Sequence, residues 1–298
     1  MPAHPGPCGI LLLDKPLGLS SHSATQRVKR LTGAARAGHV GSLDPLATGM
    51  LPICLGEATK VAGEILEGAK HYRFTIALGA GTATGDLEGE IVRSAAVPAL
   101  DSGSVTAVLR SFLGHGTQVP PMYSAIKIEG QALYKLARQG KEIDRPARPI
   151  QIHELRLLAL REAHLDCEVR CAKGLYVRVL AEDIARSLGT EGHVSALRRV
   201  AVEPFPEGGM YTLEALQALR EAGSMPALVP PDEPIGHLPV AHLDAADEIR
   251  MLHGQVVTGL PLAPGLLRLY GHDGRFLGLG ITSGDGLVRA KRLFATGG

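Results

Sequence analysis

The sequence predicts an α+β fold with a smaller β-rich domain at the C-terminus, and three observations support this prediction. Within residues 1–200, strand-like and helix-like segments follow each other without the strict alternation of a parallel α/β sheet. A proline-rich stretch at residues 226–239 has the composition of a linker. Beyond it, one short helical segment precedes three strand-like runs with glycine-rich turns, which is typical of a small β-barrel-like domain.

The strands are predicted from apolar runs and from two-residue alternation of apolar and polar side chains. Alternation is clearest at residues 71–78, where Tyr72, Phe74 and Ile76 share one face of a half-buried strand. Residues 150–160 and 164–172 are predicted to pair in antiparallel orientation. The other predicted strands are at residues 9–14, 50–55, 266–270, 276–281 and 287–293.

The helices are predicted where apolar residues recur at spacings of three and four. In residues 176–188, Leu180, Ile184 and Leu188 are separated by steps of four, so they line one face of a helix. The same reasoning predicts helices at residues 104–112 and 244–253, a helix that begins at Ser21 and one that passes through Val61 and Ile65.

Length, composition and charge exclude several classes of protein. The 298 residues are enough to bury a core without disulfides, and no window approaches a membrane span of apolar residues. The N-terminus has neither a basic leader nor a long apolar run, so we predict a cytoplasmic protein. The net charge of +1 excludes a uniformly basic protein that coats nucleic acid. Residues 1–200 nevertheless carry 24 Lys and Arg against 19 Asp and Glu, which permits a local basic groove.

The four cysteines predict neither a disulfide nor a metal site. Cys8, Cys54, Cys167 and Cys171 form no CxxC pair and no Cys/His cluster with the spacing of zinc ligands. We therefore expect buried thiols that pack as small hydrophobic side chains.

The most informative segment is the loop GHVGSLDPLATGML at residues 38–51. Its glycines permit close approach of the backbone to a ligand, and Pro45 restricts Asp44 to an extended conformation. Asp44 is therefore a carboxylate on a stiffened loop, five residues after His39. Catalytic groups often lie on such loops, although an Asp-Pro in a glycine-rich turn is more often only a turn. The segment fits neither the Walker A nor the Rossmann spacing.

This loop resembles the GHxGxLDPxAxGxL motif of the TruB family of tRNA pseudouridine(55) synthases, and every fixed position is filled. Further matches follow in family order at residues 13–16 (LDKP), 56–60 (GEATK), 70–73 (KHYR), 120–127 (PPMYSAIK), 174–178 (GLYVR) and 197–199 (LRR). The C-terminal part resembles a PUA domain at residues 278–280 (GLG) and 289–293 (RAKRL). The resemblance covers nearly the whole chain.

The resemblance implies a fold and a division into domains. The catalytic domain, residues 1–236, is expected to have a mixed, largely antiparallel central sheet flanked by helices. Residues 237–298 are expected to form a PUA-like RNA-binding domain. One departure is the segment TATGD at residues 82–86, where the family often has T-D-T-x-D. Ala83 replaces the first acidic residue and Asp86 retains the second, so no role of the first carboxylate is carried over.

The resemblance also implies a reaction, in which the N1–C1′ bond of a uridine is broken and the base is rejoined to the sugar through C5. The family uses neither metal nor cofactor. The implied substrate is the T-arm stem-loop of tRNA, bound by a monomer that needs no protein partner. Asp44 is the implied catalytic carboxylate, and it attacks C1′ or C6 or assists an elimination at the sugar; the sequence leaves these open.

Two further residues are implied to share the catalytic site with Asp44. Arg178 is expected to lie against Asp44 and favour its ionised form, although an arginine at a helix start is otherwise often a surface charge. Tyr72 matches the active-site tyrosine of the family. Its ring would hold the flipped uracil and its hydroxyl could help to remove the C5 proton. Its place on the apolar face of its strand also fits an ordinary core residue.

Several residues are implied to contact the RNA. His39 is expected to contact nucleotides near the flipped base, with a purely structural role as the alternative. The other candidates in the matched segments are Lys15, Lys60, Asp86, Lys127, Leu197 and Arg198. An insertion near residues 120–150, which closes over the T arm in the family, carries the basic residues Lys127, Lys135, Arg138, Lys141, Arg145 and Arg148. Interleaved acidic residues also permit an ordinary solvated helix face there.

Two other functions remain open from the sequence. The first is a tRNA chaperone that remodels the T loop without catalysis, and the second is a guide-RNA-directed relative that modifies ribosomal RNA. The complete set of Asp44, Tyr72 and Arg178 favours the enzyme over the chaperone. The chain gives no sign of the extra partner surfaces expected of a guide-RNA-directed protein.

Overall fold

The computed structural model describes residues 6–124, 126–128, 130–137, 139–259 and 262–294. Its helices are α1 (Ser21–Thr32), α2 (Ala62–Leu66), α3 (Ser102–Ser111), α4 (Leu133–Ala137), α5 (Val177–Ser187), α6 (Leu213–Glu221) and α7 (Ala245–Leu252). The strands of the first part are β1 (Gly9–Lys15), β2 (Ala37–His39), β3 (Thr48–Leu55), β4 (Lys70–Leu78), β5 (Ala80–Thr82), β6 (Ile91–Ser94), β7 (Gly114–Gln118), β8 (Lys127–Ile128), β9 (Gln131–Ala132), β10 (Arg148–Arg161), β11 (His164–Cys171) and β12 (Gly192–Val202). The remaining strands are β13 (Val240–His242), β14 (Gly265–Tyr270), β15 (Phe276–Thr282) and β16 (Val288–Leu293).

The main sheet is mixed and largely antiparallel, which confirms the predicted α+β fold. Its strand order is β1-β3-β12-β4-β11-β10-β7, and β2 pairs with β3 beside this path. The strands β3 and β12 run parallel, whereas the other neighbours along the path run antiparallel. The predicted antiparallel pair of residues 150–160 and 164–172 is formed by β10 and β11. Within the described residues, no helix is long and apolar enough to cross a bilayer.

The alternation predicted for β4 decides which side of the main sheet is buried. Tyr72, Phe74 and Ile76 belong to the largest apolar core, where they lie with Leu180 and Ile184 of α5. Successive side chains of a strand point to opposite faces, so Arg73, between two of these core residues, is exposed. The same geometry that builds the core thus brings Tyr72 close to the start of α5.

Helix α1 begins at Ser21, as the sequence predicts, because its N-terminus is capped. The Ser20 hydroxyl accepts a hydrogen bond from Ser23 N at 3.1 Å. Ala24 and Val28 are buried and pack the helix on the main core. This packing fixes the first turn of α1 against the loop that carries the Asp-Pro motif.

The predicted C-terminal β domain is present. Strands β13–β16 form a separate four-stranded sheet in that order. Its core contains Leu267, Leu269 and Leu277 from the strands and Met251 from α7, all of them buried.

The proline-rich stretch between the two sheets is packed, although its composition is that of a linker. Val229 N and Val229 O each form a 2.9 Å hydrogen bond with the backbone of Ile10. Ile235 is fully buried, and Tyr270 Oη donates to Asp232 Oδ2 at 2.6 Å. The prolines therefore stiffen a segment that is fixed by contacts at both of its ends.

Three of the four cysteines are buried, as predicted, whereas the prediction is wrong for Cys8, which is exposed and precedes β1. Burial raises the pKa of the Cys54, Cys167 and Cys171 thiols to about 12. Thiolate is the reactive form of cysteine, so these three side chains serve packing.

Replacement of Gly49 by alanine is expected to destabilise the junction of β3 and β12. The φ of Gly49 is +97°, and a Cβ there would lie 2.2 Å from the carbonyl oxygen of Arg199. The left-handed conformation alone costs of the order of 1–3 kcal/mol with a side chain, and the backbone clash adds to it. We expect chemical denaturation to show a loss of more than about 3 kcal/mol in the free energy of unfolding.

Gly63→Ala is the matched control for Gly49→Ala. Gly63 is in α2, and a Cβ there meets nothing within 4 Å. Its replacement is expected to change the free energy of unfolding by less than about 1 kcal/mol. Equal losses in both variants would contradict the assignment of the effect to the junction.

Candidate active site

A pocket forms where the loop at residues 41–44 meets β4, β12 and the start of α5. It brings together four of the predicted site residues, Asp44, Tyr72, Arg178 and Leu197. Its other lining residues are Gly41, Ser42, Leu43, Leu66, Lys70, Ser124, Cys171, Ala172, Lys173, Gly174, Leu175, Tyr176, Val177 and Arg199. Within the described residues, no group of three or more potential metal-ligating side chains comes together.

Asp44 is held in place through the backbone on both of its sides. Leu43 N donates to Ser21 Oγ at 2.7 Å, and the Ser21 hydroxyl donates to Leu43 O at 2.9 Å. Pro45 O accepts a hydrogen bond from Gly18 N at 2.8 Å. A carboxylate fixed in this way is preorganised, which is a requirement for a group that acts on a bound substrate.

Lys15 supports the same loop from within the protein. It is fully buried, and its ammonium donates to Pro16 O at 2.9 Å, Leu19 O at 2.6 Å and Pro45 O at 3.3 Å. Burial lowers the pKa of Lys15 to about 8. These contacts argue against the predicted direct contact with RNA and indicate that Lys15 holds the carbonyl that follows Asp44.

Arg178 is the ionic partner of Asp44, as the resemblance implies. Its Nε lies 2.9 Å from Asp44 Oδ2, and its side chain is 4% exposed. Nη1 donates to Thr84 O and Nη2 to Tyr123 O, both at 2.7 Å. Asp86 Oδ2 lies 3.6 Å from Nη1. The guanidinium is therefore locked by four oxygen atoms, of which one belongs to Asp44.

Opposing influences set the charge state of Asp44. Its partial burial in the pocket raises the pKa of the carboxyl above its ordinary value, and the negative charge of Asp86 adds to this shift. Arg178 opposes the shift through its charge and its hydrogen bond, with a smaller contribution from Lys15. Arg178 is thus the main group that favours the ionised carboxylate.

Asp86 is buried at 2% exposure, which argues against the predicted contact with RNA. Its carboxylate accepts hydrogen bonds from Glu88 N at 3.0 Å and from the Thr84 hydroxyl, and it faces Arg178. These contacts indicate that Asp86 orients Arg178. Ala83, which stands where the family often has an acidic residue, is exposed and supplies no carboxylate to this cluster.

Tyr72 is both a core residue and a pocket residue, so its burial in the core is compatible with a place in the active site. Its exposure is 9%, and it lies in the main core while it lines the pocket beside Asp44. Burial raises the pKa of the Tyr72 hydroxyl, so the phenol is neutral near pH 7. A neutral ring is suited to packing against a base.

The side chains of residues 197–199 point alternately to the two faces of β12. Leu197 and Arg199 line the pocket. Arg198 points the other way, and its Nη1 and Nη2 each lie 2.8 Å from a carboxylate oxygen of Asp14. Any contact of Arg198 with RNA is therefore outside the pocket that contains Asp44.

Two other predicted RNA contacts that the structure describes, His39 and Lys60, do not line this pocket. His39 ends β2, and burial lowers its pKa. Its Nδ1 is buried and has no hydrogen-bond partner among the residues that the structure describes. Lys60 donates to Leu293 O at 2.6 Å and pairs with Glu57, so it ties the C-terminal sheet to the first part of the chain. The side chains of Lys127 and Lys135 and the whole of Arg138 lie outside the described residues.

The pocket also contains residues that were not among the predicted site residues, and Lys70, Ser124, Tyr176 and Arg199 are four of them. All four lie within the segments that match the family motifs, and these matches were the sequence feature that could have indicated them as site residues. Lys70 is 5% exposed, and burial lowers its pKa to about 8.

Comparison with family models confirms the resemblance inferred from the motifs. A model described as "TruB family pseudouridylate synthase (N terminal domain)" matches residues 29–177. Models described as "tRNA pseudouridylate synthase B C-terminal domain" and "Pseudouridine synthase II TruB, C-terminal" match residues 178–232 and 239–294. This chain belongs to the TruB family.

Individual TruB relatives match the chain over nearly its whole length. The protein named tRNA pseudouridine synthase B of Aromatoleum aromaticum is 47% identical, and the match covers 97% of this chain and 93% of the relative. The protein of the same name from Nitrosococcus oceani is also 47% identical, over 96% of this chain and 94% of the relative. The one from Escherichia coli O1:K1 / APEC is 43% identical, over 96% and 94%.

Solved structures support the TruB fold independently. A chain from the crystal structure of a Cbf5-Nop10-Gar1 complex superposes with a TM-score of 0.72 at 23% identity, over 96% of this chain and 85% of that chain. A chain from an H/ACA RNP bound to a substrate RNA gives a TM-score of 0.71 at 21% identity, over 97% and 85%. At this level of identity the likeness concerns the fold.

Proposed function

We propose that this protein is a tRNA pseudouridine synthase that converts the uridine at position 55, in the T loop, to pseudouridine. The observation that carries the proposal is the pocket in which the Asp44 carboxylate, the Arg178 guanidinium and the Tyr72 ring meet. The name of the relatives that match the chain over nearly its whole length, tRNA pseudouridine synthase B, supports this assignment.

The reaction is an isomerisation in which no atom is gained or lost. The N1–C1′ bond breaks, the C5–C1′ bond forms, C5 loses a proton and N1 gains one. Asp44 is the group that acts on the nucleotide, at C1′, at C6 or on a proton of the sugar. Arg178 is buried behind it and opposes the rise in the pKa of the carboxyl, which favours the ionised form that can attack or accept a proton.

The pocket also has to retain the detached uracil while it turns. A uridine in a tRNA loop reaches the pocket only after it leaves the base stack. The buried ring of Tyr72 and the side chain of Leu197 are apolar walls against which the base can lie. Because the pKa of Tyr72 is raised, we assign its contribution to packing on the base and not to a phenolate base.

We assign the surrounding surfaces to the T-arm stem-loop. The insertion near residues 120–150 and the C-terminal domain are the proposed RNA-holding surfaces, with residues 1–236 as catalytic domain and 237–298 as PUA-like domain. The separate core of the second sheet supports this division. Arg289 and Arg292 of β16 are exposed and suited to phosphate contact. We propose that the protein works as a monomer in the cytoplasm without a protein partner.

Release of tritium from C5 tests the proposed reaction, because the C5 hydrogen is lost only when the base is rejoined through C5. A T-arm stem-loop labelled at C5 of its uridines is expected to release the tritium of one uridine on incubation with the purified protein. The same stem-loop with cytidine in place of that uridine is expected to release none. No release from the first RNA, or equal release from both, would contradict the proposal.

Asp86→Asn is expected to move the acid limb of the pH–rate profile to lower pH. The rate falls with decreasing pH as the Asp44 carboxylate is protonated. The negative charge of Asp86 helps to raise the pKa of Asp44, so its removal lowers that pKa and preserves the ionised form in more acidic solution. Single-turnover rates measured across the acid pH range give the pH at which the rate falls. A shift to higher pH would show that loss of the Arg178 orientation outweighs the loss of the charge.

A further inference from the structure

We propose that Arg199 is a positioning residue of this active site, whose guanidinium holds both ends of the Asp44 loop and supports Tyr72. The inference rests on the proposed function, because it concerns the same pocket. Neither the motif matches nor the charge of Arg199 distinguishes it from its neighbour Arg198. The distinction comes from the contacts that the two side chains make in the fold.

The Asp44 loop leaves the sheet after His39 and rejoins it at Thr48, the first residue of β3. Arg199 binds one residue near each end of this loop, Gly41 and Met50. Its Nη2 donates to Gly41 O at 2.9 Å, and its Nε donates to Met50 O at 2.8 Å. The backbone of Arg199 pairs with Gly49 where β3 and β12 run parallel. One side chain thus connects the two ends of the loop, and a planar guanidinium with several fixed donors is suited to this task.

The loop packs directly on the guanidinium. Gly41 has a φ of +72°, and a Cβ at this position would lie 3.2 Å from Arg199 Nη1. A glycine therefore serves both the left-handed backbone and the close approach. Displacement of the guanidinium would remove the support on which this end of the loop rests.

Tyr72 is the second group that Arg199 supports. The two residues are direct partners in the antiparallel register of β4 and β12, so their side chains lie on the same face of the sheet. The Arg199 side chain also acts on the Tyr72 hydroxyl electrostatically, because it opposes the rise in the pKa of that hydroxyl that burial causes. Arg199 thereby links the loop that carries Asp44 to the ring that faces the same pocket.

The burial of Arg199 is the reason to expect more than ordinary packing. It is 1% exposed, and within the described residues its guanidinium donates to two uncharged groups, the backbone carbonyls of Gly41 and Met50. A buried charge without an opposite charge costs stability unless its hydrogen bonds offset the cost. The charge also adds to burial in lowering the pKa of Lys15, His39 and Lys70, so its field extends around the pocket.

Arg199→Lys tests the inference, because lysine keeps the positive charge but loses the planar guanidinium that donates to both Gly41 O and Met50 O. We expect the single-turnover rate at saturating T-arm RNA to fall about 100-fold, the effect of a misplacement of about 1 Å in a catalytic group. The dissociation constant for the same RNA is expected to stay within about threefold, since phosphate contacts supply most of the affinity.

Arg268→Lys is the matched control, because Arg268 makes the same kind of contacts in the C-terminal domain. Its Nε donates to Leu238 O at 3.1 Å, its Nη2 to Gly236 O at 3.0 Å, and its Nη1 lies 3.4 Å from Tyr270 Oη. We expect this variant to lose thermal stability but to keep the rate. Equal rate losses in both variants, or a loss confined to RNA affinity in the Arg199 variant, would overturn the inference.

A second pair of variants tests the contact from the loop side if Arg199→Lys does not fold. Gly41→Ala places a methyl group against Nη1 and is expected to lower the rate at least tenfold. Gly33→Ala has a similar φ of +67° but open space around the Cβ, so it is expected to cost stability and leave the rate unchanged. Full activity of Gly41→Ala would overturn the inference about Arg199 but would leave the proposed function unaffected. An inactive wild-type protein would overturn the proposed function and this inference together.

Discussion

Asp44→Asn is expected to abolish pseudouridine formation while the fold and RNA binding persist. Asparagine has the shape of aspartate but neither its charge nor its nucleophilicity, so the rate is expected to fall by at least about 10⁴-fold, as when a catalytic nucleophile is removed. The backbone of the loop is held by Ser21 and Gly18 and not by the carboxylate, so it stays in place. Single-turnover assays with the T-arm stem-loop measure the rate, and filter binding measures the affinity.

Asp183→Asn is a closely matched control for this substitution. The Asp183 side chain is 40% exposed and its Oδ1 lies 3.0 Å from Arg186 Nη1 on the outer surface of α5. The Asp44 side chain is likewise 40% exposed, with Arg178 Nε at 2.9 Å. The two substitutions thus remove carboxylates of equal exposure that each pair with an arginine, one buried and one exposed. Only the substitution at the pocket is expected to affect the rate. Similar rates for both variants would refute the catalytic role of Asp44.

Arg178→Ala is expected to lower the rate about 100-fold to 1,000-fold with little change in RNA affinity. The substitution removes the charge that opposes the raised pKa of Asp44 and frees the carbonyls of Thr84 and Tyr123 that the guanidinium binds. Because the pKa of Asp44 then rises further, the acid limb of the pH–rate profile is expected to move to higher pH. This direction is opposite to the one expected for Asp86→Asn.

The control for Arg178→Ala is Arg186→Ala, which removes an exposed arginine from the same helix. Arg186 pairs with Glu182 at 2.9 Å and with Asp183, and it makes no contact with Asp44. Exposed pairs of this kind contribute about 0.3–0.5 kcal/mol each, so rate and stability are expected to change little. If Arg178→Ala weakened RNA binding as much as it slowed turnover, Arg178 would be an RNA anchor and not a partner of Asp44.

The elements with regular periodicity were predictable because the periodicity is a local property. The alternation of β4 and the four-residue spacing of α5 are visible in their own sequences and are as predicted. Short strands such as β2 and β7 were not predicted. They contain three residues with one glycine and five residues with two glycines, and they are strands only because β3 and β10 pair with them.

The candidate site was predicted at the level of segments and less well at the level of single side chains. A motif indicates that a segment matters but not which way each side chain points. Lys15 and Asp86 were expected to contact RNA, yet both are buried and hold the loop and Arg178 in place. Arg199 was missed beside Arg198, because the direction of each is fixed by the pairing of β12 with strands far away in sequence.

The most direct test of the central claim is a map of pseudouridine in tRNA from cells that lack this protein. The account predicts that pseudouridine at position 55 disappears while other modified positions remain. It also predicts that expression of the wild-type chain restores the modification and that expression of the Asp44→Asn variant does not. Persistence of pseudouridine 55 in the deleted cells, or its restoration by the Asp44→Asn variant, would contradict the account.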